Sequence, residues 1–147
     1  MLATNLFTKK KIMDTTVQSA QSVQKILKYT YGIVPVVAGL DKFTNLLTKW
    51  KDYLSPSIIK MLPFDAGTFM HIVGIIEIVA GILVLVRPQA GGFVVMAWLT
   101  LIALTLISGG HYFDVAVRDL VMAIGAYCLA KLLLIPISQN PAQYSKS

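Results

Sequence analysis

The chain has 147 residues, of which 56% are hydrophobic and only 14% are charged, and its mean hydropathy is +0.69. Because soluble domains usually carry about 25% charged residues, this composition excludes an ordinary water-soluble globular protein. The formal net charge of +6 is compatible with nucleic-acid binding, but the apolar residues form long blocks. We therefore expect the basic residues to face lipid headgroups, and we expect no nucleic-acid partner.

Four segments are predicted to cross a membrane, since a spanning helix needs about 20 mainly apolar residues. They cover about residues 26–47, 68–86, 89–108 and 117–136. The third is free of charge from Gly91 to Ser108, whereas the first contains Lys28, Asp41 and Lys42. The sequence thus predicts an all-α integral membrane four-helix bundle within residues 25–136.

The remaining segments are polar or interfacial. Residues 1–24 form a predicted basic, polar N-terminal tail with a run of three lysines, and no apolar stretch typical of a secretory signal follows that run. Residues 48–66 mix aromatic, aliphatic and lysine side chains, which is typical of a loop or short helix lying at the headgroups. Residues 137–147 are predicted to be a short polar tail.

Four spans place both termini on one side of the membrane. That side would receive eight lysines and arginines, and the opposite side would receive five. The positive-inside rule then favours cytoplasmic termini. Since the N-terminal segment lacks the arginines of a mitochondrial presequence, we expect a bacterial inner membrane.

The single cysteine excludes several chemistries. With Cys128 alone there is no intrachain disulfide, CxxC redox pair, or cysteine-rich zinc or iron–sulfur site. Tyr127, Leu129 and Ala130 surround it in an apolar helix, so we expect Cys128 to be a small buried side chain without a chemical role.

Most ionisable groups near the spans meet at one predicted end of the bundle. Glu77 is the one carboxyl group in a span with no charged neighbour in sequence, and such a residue is a candidate functional site because an unpaired charge in hydrocarbon is costly. The predicted polar site, for a proton or a quinone, comprises Glu77, Asp41, Lys42, His71 and Asp119. Lys42 is expected to neutralise either Glu77 or Asp119 across helices.

Helical spacing predicts that two of these carboxylates face other helices. Gly74, Glu77 and Gly81 share one stripe, and small residues on a stripe let helices approach closely. Asp119 likewise shares a face with three alanines of the last span, Ala123, Ala126 and Ala130. Both carboxylates should therefore point into the bundle.

His111, Asp114 and Arg118 are secondary candidates. Asp114 and Arg118 are spaced i, i+4 and could pair at a helix start. His71 and His111 on different helices suggest a bis-imidazole haem, but His111 follows Gly109-Gly110 in a predicted turn, so we expect interfacial histidines rather than haem. No zinc-binding set of ligands is present, and we expect no metal site.

Three short motifs resemble the DoxX-like family of small four-helix bacterial membrane proteins. Residues 28–43, KYTYGIVPVVAGLDKF, resemble its first helix, which ends in a G-x-x-K-like element, here residues 39–42. Residues 74–83, GIIEIVAGIL, are similar to its second helix, and Arg118-Asp119-Leu120 is similar to the start of its last helix. The resemblance covers about residues 25–136.

This resemblance implies a membrane subunit of a quinone-linked or respiratory oxidoreductase assembly, with other membrane proteins as partners and quinone as the candidate cofactor. No nucleophile elbow, phosphate loop or dinucleotide fingerprint is present, so we do not expect catalysis by this chain alone. Two alternatives stay open. One is a small proton-coupled transporter that uses Glu77, and the other is a purely structural accessory subunit whose polar residues hold helices together.

Overall fold

A computed structural model describes residues 1–135, and every regular element in that range is helical. The all-α prediction is confirmed for this part of the chain. The elements are helix α1 (Leu2–Thr44), a 3-10 turn (Trp50–Tyr53), α2 (Pro56–Met61), α3 (Ala66–Val86), α4 (Pro88–Ser108) and α5 (Phe113–Leu132). The predicted tail at 137–147 lies outside the described residues.

Helix α1 is far longer than the predicted first span. Its 43 residues extend about 65 Å at 1.5 Å per residue, because the helix continues through residues 2–24, which the sequence presents as a polar tail. The fully buried residues of α1 all lie between Tyr31 and Lys42. The C-terminal half of α1 therefore belongs to the bundle, while its N-terminal half projects beyond it.

The segment between α1 and α3 contains two short helical elements, in agreement with the predicted loop or short helix at 48–66. The hydroxyl of Ser55 accepts a hydrogen bond from the Ile58 N–H and caps α2. The carboxylate of Asp65 caps α3 by accepting from the backbone N–H groups of Gly67 and Thr68. Such caps satisfy helix N–H groups that have no partner within the helix.

Helices α1 and α3 pack through two pairs of glycines. A Cβ atom at Gly39 would lie 2.5 Å from the Gly74 carbonyl oxygen, and one at Gly74 would lie 2.7 Å from the Gly39 oxygen. Seven residues away on each helix, a Cβ at Gly81 would lie 2.5 Å from the Gly32 oxygen. The two backbones are in direct contact at both points, so no larger residue fits at Gly39, Gly74 or Gly81 without moving a helix.

The apolar core fills the space between α3, α4 and α5. Val84, Val95, Ala126 and Leu129 form its main cluster with Tyr31 of α1 and Ala80. A second cluster, made by Ala103, Leu106 and Ala116, lies where α4 turns into α5. Ala123, Ala126 and Ala130 are buried with Asp119 on one face of α5, as the helical spacing predicted.

In the part of the chain that the structure describes, two helices, α3 and α4, are long and apolar enough to cross a membrane. Each has 21 residues and extends about 32 Å, close to the thickness of a bilayer's hydrocarbon region. The predicted spans in α1 and α5 carry more charge, including Asp41 and Lys42 in α1 and Arg118, Asp119 and Lys131 in α5. Helix α5 begins four residues before the predicted span at 117–136, after a turn in which Gly110 and Tyr112 have positive φ.

Candidate functional site: a buried charge cluster

A buried ion pair joins α1 to α3. The Lys42 Nζ atom donates a hydrogen bond to the Glu77 Oε2 atom at 2.6 Å, and the two residues are only 4% and 8% exposed. Lys42 lies in the last turn of α1, whereas Glu77 is the twelfth of 21 residues in α3. The inward orientation predicted for Glu77 is confirmed, and Glu77 rather than Asp119 is the direct partner of Lys42.

The close approach of α1 and α3 explains why this pair can form. Gly39 lies one turn before Lys42, and Gly74 lies one turn before Glu77, so the contact between these glycines brings the two helices together beside the pair. In a low-dielectric interior the attraction offsets the cost of removing two charges from water only when the contact is short and well oriented. The glycine contact supplies that geometry.

Trp50 covers the lysine. The Lys42 Nζ atom lies 3.7 Å from the centroid of the Trp50 ring, which is within cation–π distance. The indole N–H of Trp50 donates to the Asp41 Oδ2 atom at 2.7 Å. Trp50 thus contacts the charged groups of two neighbouring residues, and it fixes the segment after α1 against the ion pair.

Asp41 closes the end of α1. Its Oδ1 atom accepts hydrogen bonds from the Leu46 N–H at 2.9 Å, from the Leu47 N–H at 3.1 Å and from the Thr44 hydroxyl at 3.1 Å. A carboxylate at a helix C-terminus is disfavoured by the helix dipole, and these bonds compensate for that position. Asp41 therefore shapes the chain reversal after α1, and its carboxylate has few acceptor positions left for a ligand.

The buried charge cluster consists of Asp41, Lys42, Glu77 and Asp119. Trp98 of α4 lies beside this cluster, and the sequence did not reveal that position. Its indole lies beside the Glu77 carboxylate, yet its buried N–H has no hydrogen-bond acceptor in good geometry among the described residues. The Glu77 carboxylate is the acceptor within reach of this N–H, although the contact lacks the geometry of a well-formed hydrogen bond. The one available signal was a tryptophan in the middle of an uncharged, largely aliphatic span.

Asp119 lies at the edge of the cluster. It is 9% exposed and lies close enough to Lys42 and Glu77 to interact with both electrostatically. The Arg118 Nε atom lies 3.7 Å from its Oδ1 atom, although the Arg118 side chain is 67% exposed. The predicted Asp114–Arg118 pair is wrong, because Arg118 contacts its neighbour Asp119 while Asp114 remains on the exposed side of α5.

The two histidines occupy different surroundings. His71 is exposed and stacks on the Phe43 ring, with 4.8 Å between the centroids and 8° between the planes. His111 is exposed in the turn before α5. Within residues 1–135 no group of three or more histidine, cysteine, aspartate or glutamate side chains is placed to hold a metal ion. Because His71 stacks on Phe43, the neighbour of Lys42, the histidine lies close to the charge cluster.

Cys128 corrects another prediction, because it is exposed rather than buried. It follows the buried Ala126 by two residues, which is about 200° around the helix. The face of α5 that carries Asp119, Ala123 and Ala126 packs inward, so Cys128 points outward.

Comparison with family models, with curated proteins and with solved structures finds no match to this chain. The chemistry of the cluster therefore has to be read from its own residues. Lys42 and Trp98 offer donors, Glu77 and Asp119 offer acceptors, and the residues around them are largely apolar. Such a set of buried donors and acceptors can hydrogen-bond a polar group of a ligand or exchange a proton.

Proposed function

We propose that the chain is an integral membrane protein whose helices α1, α3, α4 and α5 form a four-helix bundle. The observation that supports this is the distribution of its side chains. Among residues 1–135, every charged residue that is buried belongs to the cluster of Asp41, Lys42, Glu77 and Asp119, whereas large aliphatic side chains cover the outside. Exposed examples on three helices are Val37 and Leu40, Ile75, Val79 and Ile82, and Val121 and Ile124.

The charges in α1 and α5 lie either inside the bundle or near the ends of the proposed spans, as the exposed Arg118 does in the second turn of α5. Asp41, Lys42 and Asp119 are buried against other helices, so lipid would not meet them. Lys131 lies in the last turn of α5 with its Nζ atom 5.6 Å from the Tyr127 ring, where a lysine can extend to the headgroups. The outer surfaces of α1 and α5 are therefore compatible with lipid, and the proposed orientation places the N-terminus in the bacterial cytoplasm.

We further propose that the chain is a DoxX-like subunit of a quinone-linked or respiratory oxidoreductase assembly, and that the cluster holds a quinone headgroup. The Trp98 N–H supports this, because it lies near the Glu77 carboxylate without a well-formed hydrogen bond and so remains able to donate to a ligand. A quinone ring needs one or two hydrogen-bond donors next to an apolar slot, and its carbonyl oxygen would accept from Trp98 or Lys42. The motif resemblance at residues 28–43 and 74–83 points to the same class of assembly.

Binding of a short-tailed, radiolabelled ubiquinone to the purified chain in lipid nanodiscs tests the quinone site. We expect saturable binding above the background of empty nanodiscs, and Trp98→Phe should weaken it about tenfold because it removes a buried donor. Leu40→Ala, on the exposed side of α1, is the matched control and should bind as the original chain does. Equal binding by all three proteins would contradict the proposed site.

Gentle detergent extraction followed by native separation and mass spectrometry tests the proposed assembly. Co-migration with an oxidoreductase is the expected result. A homo-oligomer without any other subunit would reject the accessory role and leave the quinone experiment to stand alone.

The structural alternative has an observation in its favour, since the short Lys42–Glu77 contact already satisfies both charges. If the pair only holds α1 to α3, Glu77→Gln should lower stability while quinone binding per folded molecule stays unchanged.

A proton-coupled transporter would need the Glu77 carboxylate to exchange protons, so Glu77→Gln would abolish transport.

A further inference from the structure

A second site lies outside the charge cluster, at the same end of the bundle. A cavity of about 440 Å³ opens between the 3-10 turn with the start of α2 and the turn that joins α4 to α5. Its lining includes Asp52, Tyr53, Thr105, His111 and Tyr112. This volume lies within the range of small-molecule sites, about 300–1,000 Å³, and the walls come from segments far apart in sequence.

The formal charge of the lining is negative. Asp52 is its one formally charged residue with histidine neutral, and Asp52 forms no ion pair within residues 1–135. The neighbouring lysine does not neutralise it, because the Lys51 amine lies beside Gly67 and the Asp65 cap of α3. The Thr105 hydroxyl donates to the Leu101 carbonyl oxygen, so its oxygen can only accept from a ligand.

Two tyrosine rings form the aromatic wall of the cavity. The centroids of Tyr53 and Tyr112 lie 4.6 Å apart, and the ring planes are inclined by 40°. Tyr112 has φ 59°, a left-handed conformation that is uncommon for a bulky residue and costs energy unless the surroundings enforce it. The turn thus holds the Tyr112 ring against Tyr53, although the backbone of Tyr112 has to adopt an unfavourable conformation.

We propose that this cavity binds a methylated ammonium group. An unpaired carboxylate, two aromatic rings and an acceptor oxygen are the features that recognise such cations through charge and cation–π attraction. In the proposed membrane orientation the cavity lies at the headgroup level on the non-cytoplasmic side. The ammonium group could therefore belong to a phospholipid headgroup or to a soluble amine, and the chemistry of recognition is the same for both.

Calorimetric titration of the full chain in phosphatidylglycerol nanodiscs with choline tests the proposal. The uncharged carbon isostere 3,3-dimethyl-1-butanol serves as the ligand control, since it has the same shape without the charge. We expect saturable choline binding that weakens as ionic strength rises and no comparable binding of the isostere. Absence of saturable choline binding, or equal binding of the isostere, would overturn the proposal.

Variants separate the cavity from the rest of the surface. Asp52→Asn should weaken choline binding about tenfold or more, since it removes the charge and keeps the shape. Tyr112→Asn should also weaken it by removing a ring, while asparagine tolerates the positive φ at that position. Asp114→Asn, an exposed carboxylate outside the lining, is the matched control. An equal loss in Asp114→Asn and Asp52→Asn would mean that only general surface charge attracts the cation.

The source of the ammonium group is decided by titrating choline into two nanodiscs with the same fraction of phosphatidylglycerol, so that the surface charge is matched. The remaining lipid is phosphatidylcholine in one and a neutral glycolipid in the other. If lipid headgroups occupy the cavity, choline should bind more weakly in the nanodisc that contains phosphatidylcholine. Equal choline affinities in the two nanodiscs would instead identify a soluble amine as the ligand.

Discussion

Lys42 of α1 and Glu77 of α3 form an ion pair of 2.6 Å in the interior of the helical bundle, and Trp50 covers the lysine from the segment that follows α1. The pair is the one place in the described range where two oppositely charged, buried side chains meet directly. It links helix packing to the proposed chemistry, because the two residues join α1 to α3 and Glu77 lies beside the Trp98 indole.

Removing one partner of this pair should destabilise the fold more than removing both. Lys42→Met leaves the Glu77 carboxylate buried without a counter-charge, which typically costs about 3–5 kcal/mol. The double variant Lys42→Met with Glu77→Leu should recover a substantial part of that loss, since apolar residues can replace a buried ion pair. Thermal unfolding in detergent of the two single variants and the double variant measures this coupling. Strictly additive losses would show that the two charges do not depend on each other.

The glycine contact predicts a graded response along α1. Gly39→Ala places a Cβ against the Gly74 backbone and should separate the helices, whereas Gly32→Ala meets mainly the Leu85 side chain, which can move. We therefore expect a clearly larger fall in the unfolding midpoint for Gly39→Ala than for Gly32→Ala. Ile33→Val, which removes a single carbon from an exposed side chain of α1, is the control for a change of one methyl group. Equal effects at both glycines would argue against a rigid backbone contact.

The cap of α3 predicts a dependence on pH. The Thr68 hydroxyl, followed by the Thr68 and Gly67 backbone N–H groups, donates to Asp65 and lowers the pKa of its carboxyl. The stabilisation is present above the usual aspartate pKa of about 3.9 and disappears as the pH falls through the lowered value in the folded state.

Asp65→Ala should thus lower the unfolding midpoint at pH 7, and the difference from the original chain should shrink in strongly acidic buffer. Thermal scans of both proteins from pH 7 to pH 2 measure this. Ser57→Ala, an exposed position inside α2, is the control and should show no such convergence. A difference that stays constant with pH would mean that the charged carboxylate does not act as the cap.

Particular residues show what could be predicted from the sequence. The uninterrupted apolar runs located α3 and α4 to within about two residues of their observed starts, and the Gly74, Glu77 and Gly81 stripe predicted the inward side of α3 correctly. The helical N-terminal half of α1 was not predicted, because its polar residues do not form the apolar pattern of a membrane span. It is helical as an extension of the C-terminal half, which packs in the bundle.

Contacts between distant segments were harder to predict. The sequence left Lys42 with two candidate partners, and only the register set by the Gly39–Gly74 contact selects Glu77. The roles of Trp50 and Trp98 depend on where a loop and another helix meet the pair, which no local spacing encodes. Cys128 was predicted wrongly because its side chain lies on the outer face of α5. Arg118 was predicted wrongly because it contacts its immediate neighbour, Asp119.

The exposed Cys128 provides a test of the proposed membrane topology. It lies within α5 among outward-facing residues, so in a bilayer it should contact lipid. A charged reagent does not enter the hydrocarbon region, because a charge is costly in a low-dielectric medium. In intact membranes Cys128 should therefore resist a charged, membrane-impermeant maleimide, and it should become reactive after the protein is unfolded in denaturant.

Replacing Cys128 by alanine then allows single cysteines to report each side. Thr15→Cys on the projecting part of α1 and Ser57→Cys in α2 are exposed positions at opposite ends of the bundle. In sealed, right-side-out cells the impermeant reagent should label Ser57→Cys, and it should label Thr15→Cys only after the membrane is opened. Labelling of both variants in sealed cells would contradict the proposed four-span arrangement, and the reverse pattern would place the N-terminus outside. Rapid labelling of native Cys128 in intact membranes would show that this face of α5 meets water, which a lipid-facing span does not allow.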